Sequence, residues 1–280
     1  MKIGIIGTGN LGKSIAKGIL QSDGATIMYL SKRNTASLES FKAHKNVRIT
    51  SDNKVLVAQS DILIFAVQPS QFSGILSEIK EGLTDKHVII SAITGFSIQK
   101  IETIIGAQHY IIRAMPNTAI AVGQSMTCLC SNLPGEKRVA VAKAIFDRMG
   151  HCMMIPESKM QAATVICASG IAFWMRLIRA NTQGGVQLGF EAADALELVV
   201  HTALGAASLL IENKSHPEAE IDLVTTPEGC TISGLNEMEH KGLSSALIKG
   251  IQKSFEKISH ITKDQLSEIS KKQLSQITRD

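Results

Sequence analysis

Gly7-Thr8-Gly9-Asn10-Leu11-Gly12 sets three glycines at the spacing G-x-G-x-x-G. They lie between a short apolar run, Lys2–Ile6, and a segment with helical spacing from Asn10 to Leu20. In that context Gly7 permits a tight turn, Gly9 lets a pyrophosphate approach the backbone, and Gly12 lets helix pack closely on strand. The helix start adds unpaired N–H groups and a partial positive charge. A ligand-free glycine turn is the plainer reading; the strand before and the helix after favour a dinucleotide site. A second chemical stretch is V-T-T-P-E-G-C-T-I-S-G-L, Val224 to Leu235, which interrupts helix-like sequence. Thr225, Thr226 and Pro227 stop a helix, Gly229 frees the backbone, and Thr231 can begin the next one. A helix start beside threonine hydroxyls suits a small anion such as a carboxylate. An ordinary helix start after a loop fits these residues equally well.

Which dinucleotide fits is read at the end of the second expected strand, Leu30-Ser31-Lys32-Arg33-Asn34. An NAD site usually carries Asp or Glu there to bond the ribose 2′-OH. This chain offers a hydroxyl and two cations instead, which suit a 2′-phosphate and predict NADP(H). Lys32 and Arg33 in a merely solvated loop are the alternative.

Positioning these residues requires a layered α/β frame. Ala25–Leu30, Asp61–Val67, His87–Ile93 and His109–Met115 read as further strands with helices between them, hence a parallel sheet covered on both faces. Two later strands, in "QSMTCLCSN" and "GHCMMIP", flank a helix from about Pro134 to Met149. Beyond Pro156 strand signals stop. Helices are expected over Lys159–Thr182, Phe190–Asn213 and from Thr231 onward, with "TQGGVQLG" (182–189) as a turn. The expected fold class is α/β plus all-α: a Rossmann doubly wound domain over 1–156, then a helical domain over 157–280. Residues 250–280 read as one or two amphipathic helices.

With 280 residues, 44% apolar and 19% charged, the chain can bury a sizeable core. A net charge of +4 from scattered basic residues, with 4% aromatics, argues against a nucleic-acid partner. Five cysteines without framework spacing predict reduced thiols and a cytoplasmic protein. Neither a signal peptide nor a membrane span is expected, since no run approaches about 20 apolar residues. The histidines lack paired spacing, so no metal is expected.

Taken together, "IGIIGTGNLGKSIAKGI", "DILIFAVQP", "SAITGF", "RAMPNTAI", "GVQLGF" and "VTTPEGCTISGL" make the chain resemble the pyrroline-5-carboxylate reductases over residues 1 to about 260. That resemblance implies reduction of a cyclic imine, 1-pyrroline-5-carboxylate, to proline with NAD(P)H. It also implies homodimers through the helical domain, with further assembly possible. Residue by residue, it implies Gly7 to Gly12 at the pyrophosphate, and Ser31, its neighbours and Asn53 at the adenosine ribose or its 2′-phosphate. Ala66, Val67, Gln68 and Pro69 would line the dinucleotide. Ala92, Ile93 and Thr94 would approach nicotinamide and substrate, with Asn117 supporting the reactive end. Thr226, Gly229, Cys230 and Thr231 would surround the substrate. Thr231 is the expected catalytic hydroxyl, bonded to the ring nitrogen, and the amides of Gly229 to Thr231 would hold the carboxylate.

The chain departs from the family pattern at Gln68, where Lys is usual. Cys167-Ala168-Ser169-Gly170-Ile171-Ala172 replaces S-G-S-G-P-A, and Pro227-Glu228-Gly229-Cys230 replaces P-G-G-T. Alternatives are another imine reductase, a non-catalytic NADP-binding paralogue, or a β-hydroxyacid dehydrogenase. The last uses a lysine on its first long helix, and Met160–Thr182 contains none.

Overall fold

Ile3 to Ile6 are buried on both sides, which is why Lys2–Ile6 (β1) reads as an unbroken apolar run. The structure, a computed structural model, describes residues 1–259. After β1 come α1 (Asn10–Ser22), β2 (Ile27–Ser31), β3 (Val47–Thr50), α2 (Asn53–Ala58), β4 (Ile62–Phe65) and α3 (Pro69–Ile79). Then follow β5 (Val88–Ser91), α4 (Ile98–Ile105), β6 (Tyr110–Met115), β7 (Ser125–Ser131), α5 (Val139–Asp147) and β8 (Gly150–Met154). The eight strands form one sheet in the order β3-β2-β1-β4-β5-β6-β7-β8. Neighbours run parallel except β6 and β7. The order turns back at β1, so a crevice opens beyond the ends of β1 and β4, where doubly wound sheets bind ligands.

Alternate residues of each strand feed two cores. Ile5, Leu30, Ile64, Ile90 and Ile112 pack under α1 and α5. Leu63, Phe65, Ile89 and Ile111 pack under α2, α3 and α4. The expected double coverage is therefore present. The sequence reading passed over β3. It is four residues long and pairs with β2 at the sheet edge, so its alternation, Val47-Arg48-Ile49-Thr50, is too short to stand out from the loops around it.

A helical stretch continues past β8: α6 (Met160–Ala163), a π-helical segment (Thr164–Ser169) and α7 (Gly170–Gln187). Then come α8 (Ala192–Asn213), α9 (Pro217–Val224) and α10 (Cys230–His240). Residues 243–259 are also helical; the rest of the expected amphipathic tail, 260–280, lies outside the described residues. By contacts the chain divides into one unit of Met1–Ser169 with the residues from Ser254, and a second of Gly170–Lys253. Within the first unit, Glu157 Oε1 accepts from Arg113 Nη1 at 3.0 Å and from the Ile98 amide at 2.7 Å, which ties the segment just after β8 to the sheet and α4.

Two sequence expectations need correction here. The glycine pair in 182–189 is not a turn. Helix α7 continues to Gln187, and a Cβ on Gly185 would lie 3.0 Å from Ala195 Cβ, so the missing side chain admits α8. The turn comes later, at Gly189 with φ +101°, where Phe190 N donates to Gly185 O and Gly189 N to Val186 O. Second, Glu157–Gln187 and Ala192–Asn213 are long and apolar enough, by length and composition, to cross a membrane. Arg176, Arg179, Asp194, Glu197 and His201, with glycines, serines and threonines, interrupt the apolar runs while the average stays high, which is why no span was expected.

Candidate active site

The end of β1 and the start of α1 build the first part of the site. Gly7 has φ +91°, and a Cβ there would lie 2.3 Å from Val67 Cγ1. A Cβ on Gly12 would lie 2.4 Å from Gly7 O, so only glycine lets the helix seat this close. Nothing lies within 4 Å of the Cβ position at Gly9, which leaves its backbone open to a ligand. Gly9 caps α1 without a side-chain bond, and the first turn contains no acid. The amides of Asn10, Leu11 and Gly12 have no intrahelical acceptor.

Thr8 is fully buried, and its hydroxyl donates to Ser31 O at 2.8 Å. Its amide donates to the same oxygen at 3.1 Å, so side chain and N–H together tie the glycine loop to β2. Asn10 is exposed at the helix start; Leu11 turns its side chain toward the core.

A cavity of about 810 Å³ opens from this loop, lined among others by Gly7, Gly9, Ser31, Lys32, Arg33 and Asn53. Ala66, Val67 and Gln68 form its other wall, after β4. Pro69 stands outside that wall at the first position of α3, and Gln68 caps the helix through its backbone. Ser31 Oγ donates to Asn53 Oδ1 at 2.7 Å, and Asn53 Nδ2 donates to Glu78 Oε2 at 3.4 Å. With the serine proton engaged, the cations Lys32 and Arg33 remain to meet a phosphate. Lys32 Nζ donates to Ser37 Oγ at 2.7 Å, which points it along the loop after β2. The sequence reading missed Gln71, Gly74, Ile75 and Glu78 on the same cavity wall. Their spacing i, i+3, i+4, i+7 from a helix that starts at Pro69 is the signal that could have found them.

Ala92, Ile93 and Thr94 follow β5 and lie outside that cavity's lining. Ala92 N donates to Phe65 O at 2.9 Å. Ile93 is buried in the core below α3 and α4, so only its backbone could face a ligand. Asn117 is buried, and its polar atoms serve the protein itself. Oδ1 accepts from Ala119 N at 2.9 Å, Nδ2 donates to Cys167 O at 3.1 Å, and the amide donates to Ser125 Oγ at 3.1 Å. It braces the turn after β6 against the π-helical segment.

In the second unit, Thr226-Pro227-Glu228-Gly229 form a four-residue turn closed by Gly229 N donating to Thr226 O at 2.9 Å. Pro227 fixes the second position, and Glu228 takes φ +60°, the left-handed conformation demanded at the third position of a type II turn. The Glu228 side chain is exposed. The turn delivers the chain to α10, capped by Gly229 without a side-chain bond and without acid in its first turn. Because the Gly229 amide is spent on the turn, the amides left for an anion are those of Cys230 and Thr231. Thr226 and Cys230 are exposed, and Thr231 is half-buried.

A doubly wound sheet with a glycine cradle at its switch point, carried on one chain with a separate helical unit, defines a dinucleotide-binding oxidoreductase. Residues 157–261 match the family described as pyrroline-5-carboxylate reductase dimerisation, and residues 2–95 match NADP oxidoreductase coenzyme F420-dependent. The chain is 44% identical to pyrroline-5-carboxylate reductase 1 of Dictyostelium discoideum, over 92% of this chain but 49% of that one, so it spans about half that relative's length. It is 42% identical to pyrroline-5-carboxylate reductase 2 of the same organism, covering 92% of both chains. The pyrroline carboxylate reductase of Plasmodium falciparum, solved with NADP bound, superposes with a TM-score of 0.84 at 25% identity, covering 94% of this chain and 98% of that one. The chain belongs to the pyrroline-5-carboxylate reductase family.

Proposed function

We propose that this chain reduces the cyclic imine 1-pyrroline-5-carboxylate to L-proline with NADPH, as a cytoplasmic homodimer. The observation that carries the reading is the open glycine cradle with two cations and no acid at the end of β2, in a chain of this family. The cradle fits the group: the first-turn amides of α1 take the pyrophosphate, Gly9 allows its approach, and Lys32 and Arg33 face the 2′-phosphate. When bound, the nicotinamide supplies the hydride. An iminium carbon is already electrophilic, so the protein needs no strong acid to protonate a developing alkoxide. Its work is to hold, orient and exclude water; well-oriented reactants can lower a barrier by about 7–11 kcal/mol. The amides of Cys230 and Thr231 hold the substrate carboxylate, helped by the positive end of α10. The Thr231 hydroxyl bonds the ring nitrogen. Homodimerisation is supported by the family match over 157–261 and by the apolar side chains that α7 and α8 turn outward.

Loss of NADPH absorbance with pyrroline-5-carboxylate, against acyclic keto acids, tests the reaction. Turnover only of keto acids overturns it. In Thr231→Ala, kcat/KM should fall roughly ten- to a hundredfold, the worth of a hydrogen bond to a charged group, with NADPH affinity unchanged. Full activity in that variant removes Thr231 from the mechanism.

A further inference from the structure

Cys128 on β7 and Cys167 in the π-helical segment stand Sγ to Sγ at 3.9 Å, both in the first unit. All five cysteines are free thiols, and only these two are joined by a sulfur–sulfur hydrogen bond among the described residues. Cys128 is buried, while Cys167 is half-buried. The segment carrying Cys167 is π-helical, a rare i→i+5 turn that interrupts the α-helical stretch and is found frequently at functional sites. A disulfide needs its sulfurs at about 2.05 Å, so closure asks the segment to move toward β7 by less than one side chain's width.

We propose that Cys128 and Cys167 form a reversible, peroxide-responsive dithiol–disulfide pair that lowers turnover when oxidised. The roles of the two sulfurs differ. The hydrogen bond shared with Cys128 lowers the Cys167 thiol to about 7, and Cys167 is the less buried of the two, so its sulfur is the one placed to react first. The same bond and burial push Cys128 well up, so it keeps its proton. Burial raises Cys130 to about 11 and Cys152 to about 12, which leaves both as unreactive thiols. In the first step the Cys167 sulfur attacks a peroxide oxygen, the O–O bond breaks, and the leaving hydroxide takes a proton to become water. Cys167 is then a sulfenic acid. In the second step the Cys128 sulfur attacks the Cys167 sulfur, the S–O bond breaks, and the Cys128 proton leaves with the hydroxide as a second water. Two thiols have lost two electrons and two protons to one peroxide. A thiol reductant reverses the change by exchange.

The link to catalysis runs through Asn117, whose Nδ2 donates to the carbonyl of Cys167. Drawing Cys167 toward β7 displaces that carbonyl and loosens the turn after β6. This consequence rests on the proposed function; the sulfur chemistry does not.

The test treats the full-length protein with a few equivalents of hydrogen peroxide, alkylates the remaining thiols and maps peptides without reductant. The expected result is a peptide pair joining Cys128 to Cys167, lighter by two hydrogens, with turnover of pyrroline-5-carboxylate reduced severalfold and restored by dithiothreitol. In Cys128→Ser, Cys167 should stop at the sulfenic acid and be captured by dimedone. In Cys167→Ser, turnover relative to its own untreated sample should not fall. Both cysteines recovered as alkylated thiols, or a bridge to Cys230 instead, overturns the pair. A bridge formed with turnover intact overturns the control of catalysis. The peptide map needs no substrate, so an enzyme that ignores the imine sinks the proposed reaction and leaves the pair to be judged by its own result.

Discussion

Phe65, Phe72 and Phe96 interlock inside the first unit, with ring centroids 5.2 and 4.8 Å apart, all fully buried. In the second unit Trp174 is 66% exposed and Leu188 83% exposed. Helix α8 has a single buried residue, Ala195, and α9 and α10 have none. The first unit thus completes its own core, with a sheet covered on both faces. The second completes only the narrow seam where Gly185 meets Ala195. Exposed leucines leave about 1.5–3 kcal/mol each of burial unrealised. The family match over 157–261, described as dimerisation, accords with the second copy proposed above as what covers these side chains.

The largest expected effect separates the two units along that line. Leu204, in the middle of α8, is 61% exposed in the single chain. Leu204→Glu would bury a charge in the proposed interface, and association should weaken by about 2 kcal/mol or more, about thirtyfold. Sedimentation at graded concentrations measures this. NADPH binding by the first unit should survive, because its cavity lies wholly within residues 6–78. An unchanged oligomer would remove Leu204 from the interface. A protein that is monomeric without detergent and associates with lipid vesicles would break the dimer reading of these helices altogether.

An intermediate effect sharpens what the first unit recognises. Reversing both cations in Lys32→Glu/Arg33→Glu should weaken NADPH by roughly tenfold or more, about 1.4 kcal/mol, and NADH far less. Isothermal titration with both nucleotides reads the difference. Equal losses would mean that the two side chains are only a solvated loop and that Ser31 and Asn53 carry the recognition.

The same contrast explains what the sequence could reveal. Strands buried on both faces announce themselves as apolar runs, so β1, β4, β5 and β6 were legible with their glycine loop. Edge strand β3 was not, because its four-residue alternation is too short to stand out from the loops around it. Backbone-made features were legible where a residue type is obligatory, as at Gly7 and Gly12. Side-chain commitments were not: nothing local says that Thr8 is spent on Ser31, Asn117 on Cys167, or the Gly229 amide on Thr226. Those partners lie in other elements or depend on a turn's dihedral angles. In the second unit, Gly184-Gly185 looked like a turn because local sequence shows a glycine pair but not the helix packed against it. The apolar residues of α7 and α8 read only as helical spacing, and among the described residues Trp174, Met175, Leu204 and Ile211 remain exposed.

The smallest expected effect lies in the turn before α10, where the second unit departs from its family's pattern. Glu228 sits at φ +60°, where a Cβ crowds the carbonyl, a conformation costing a residue other than glycine roughly 1–2 kcal/mol. Its side chain is exposed, so little packing is lost on removing it. Glu228→Gly should therefore stabilise the turn by about 1 kcal/mol, since part of the relief is offset by the greater freedom of glycine in the unfolded chain. It also removes a negative charge two residues before the α10 amide of Cys230, which should lower KM for an anionic substrate modestly while leaving kcat nearly unchanged. Thermal unfolding and steady-state kinetics on one preparation read both. A less stable variant would mean that Glu228 makes a compensating contact in the assembled protein, and a raised KM would show that its carboxylate orders the turn for the substrate rather than opposing it.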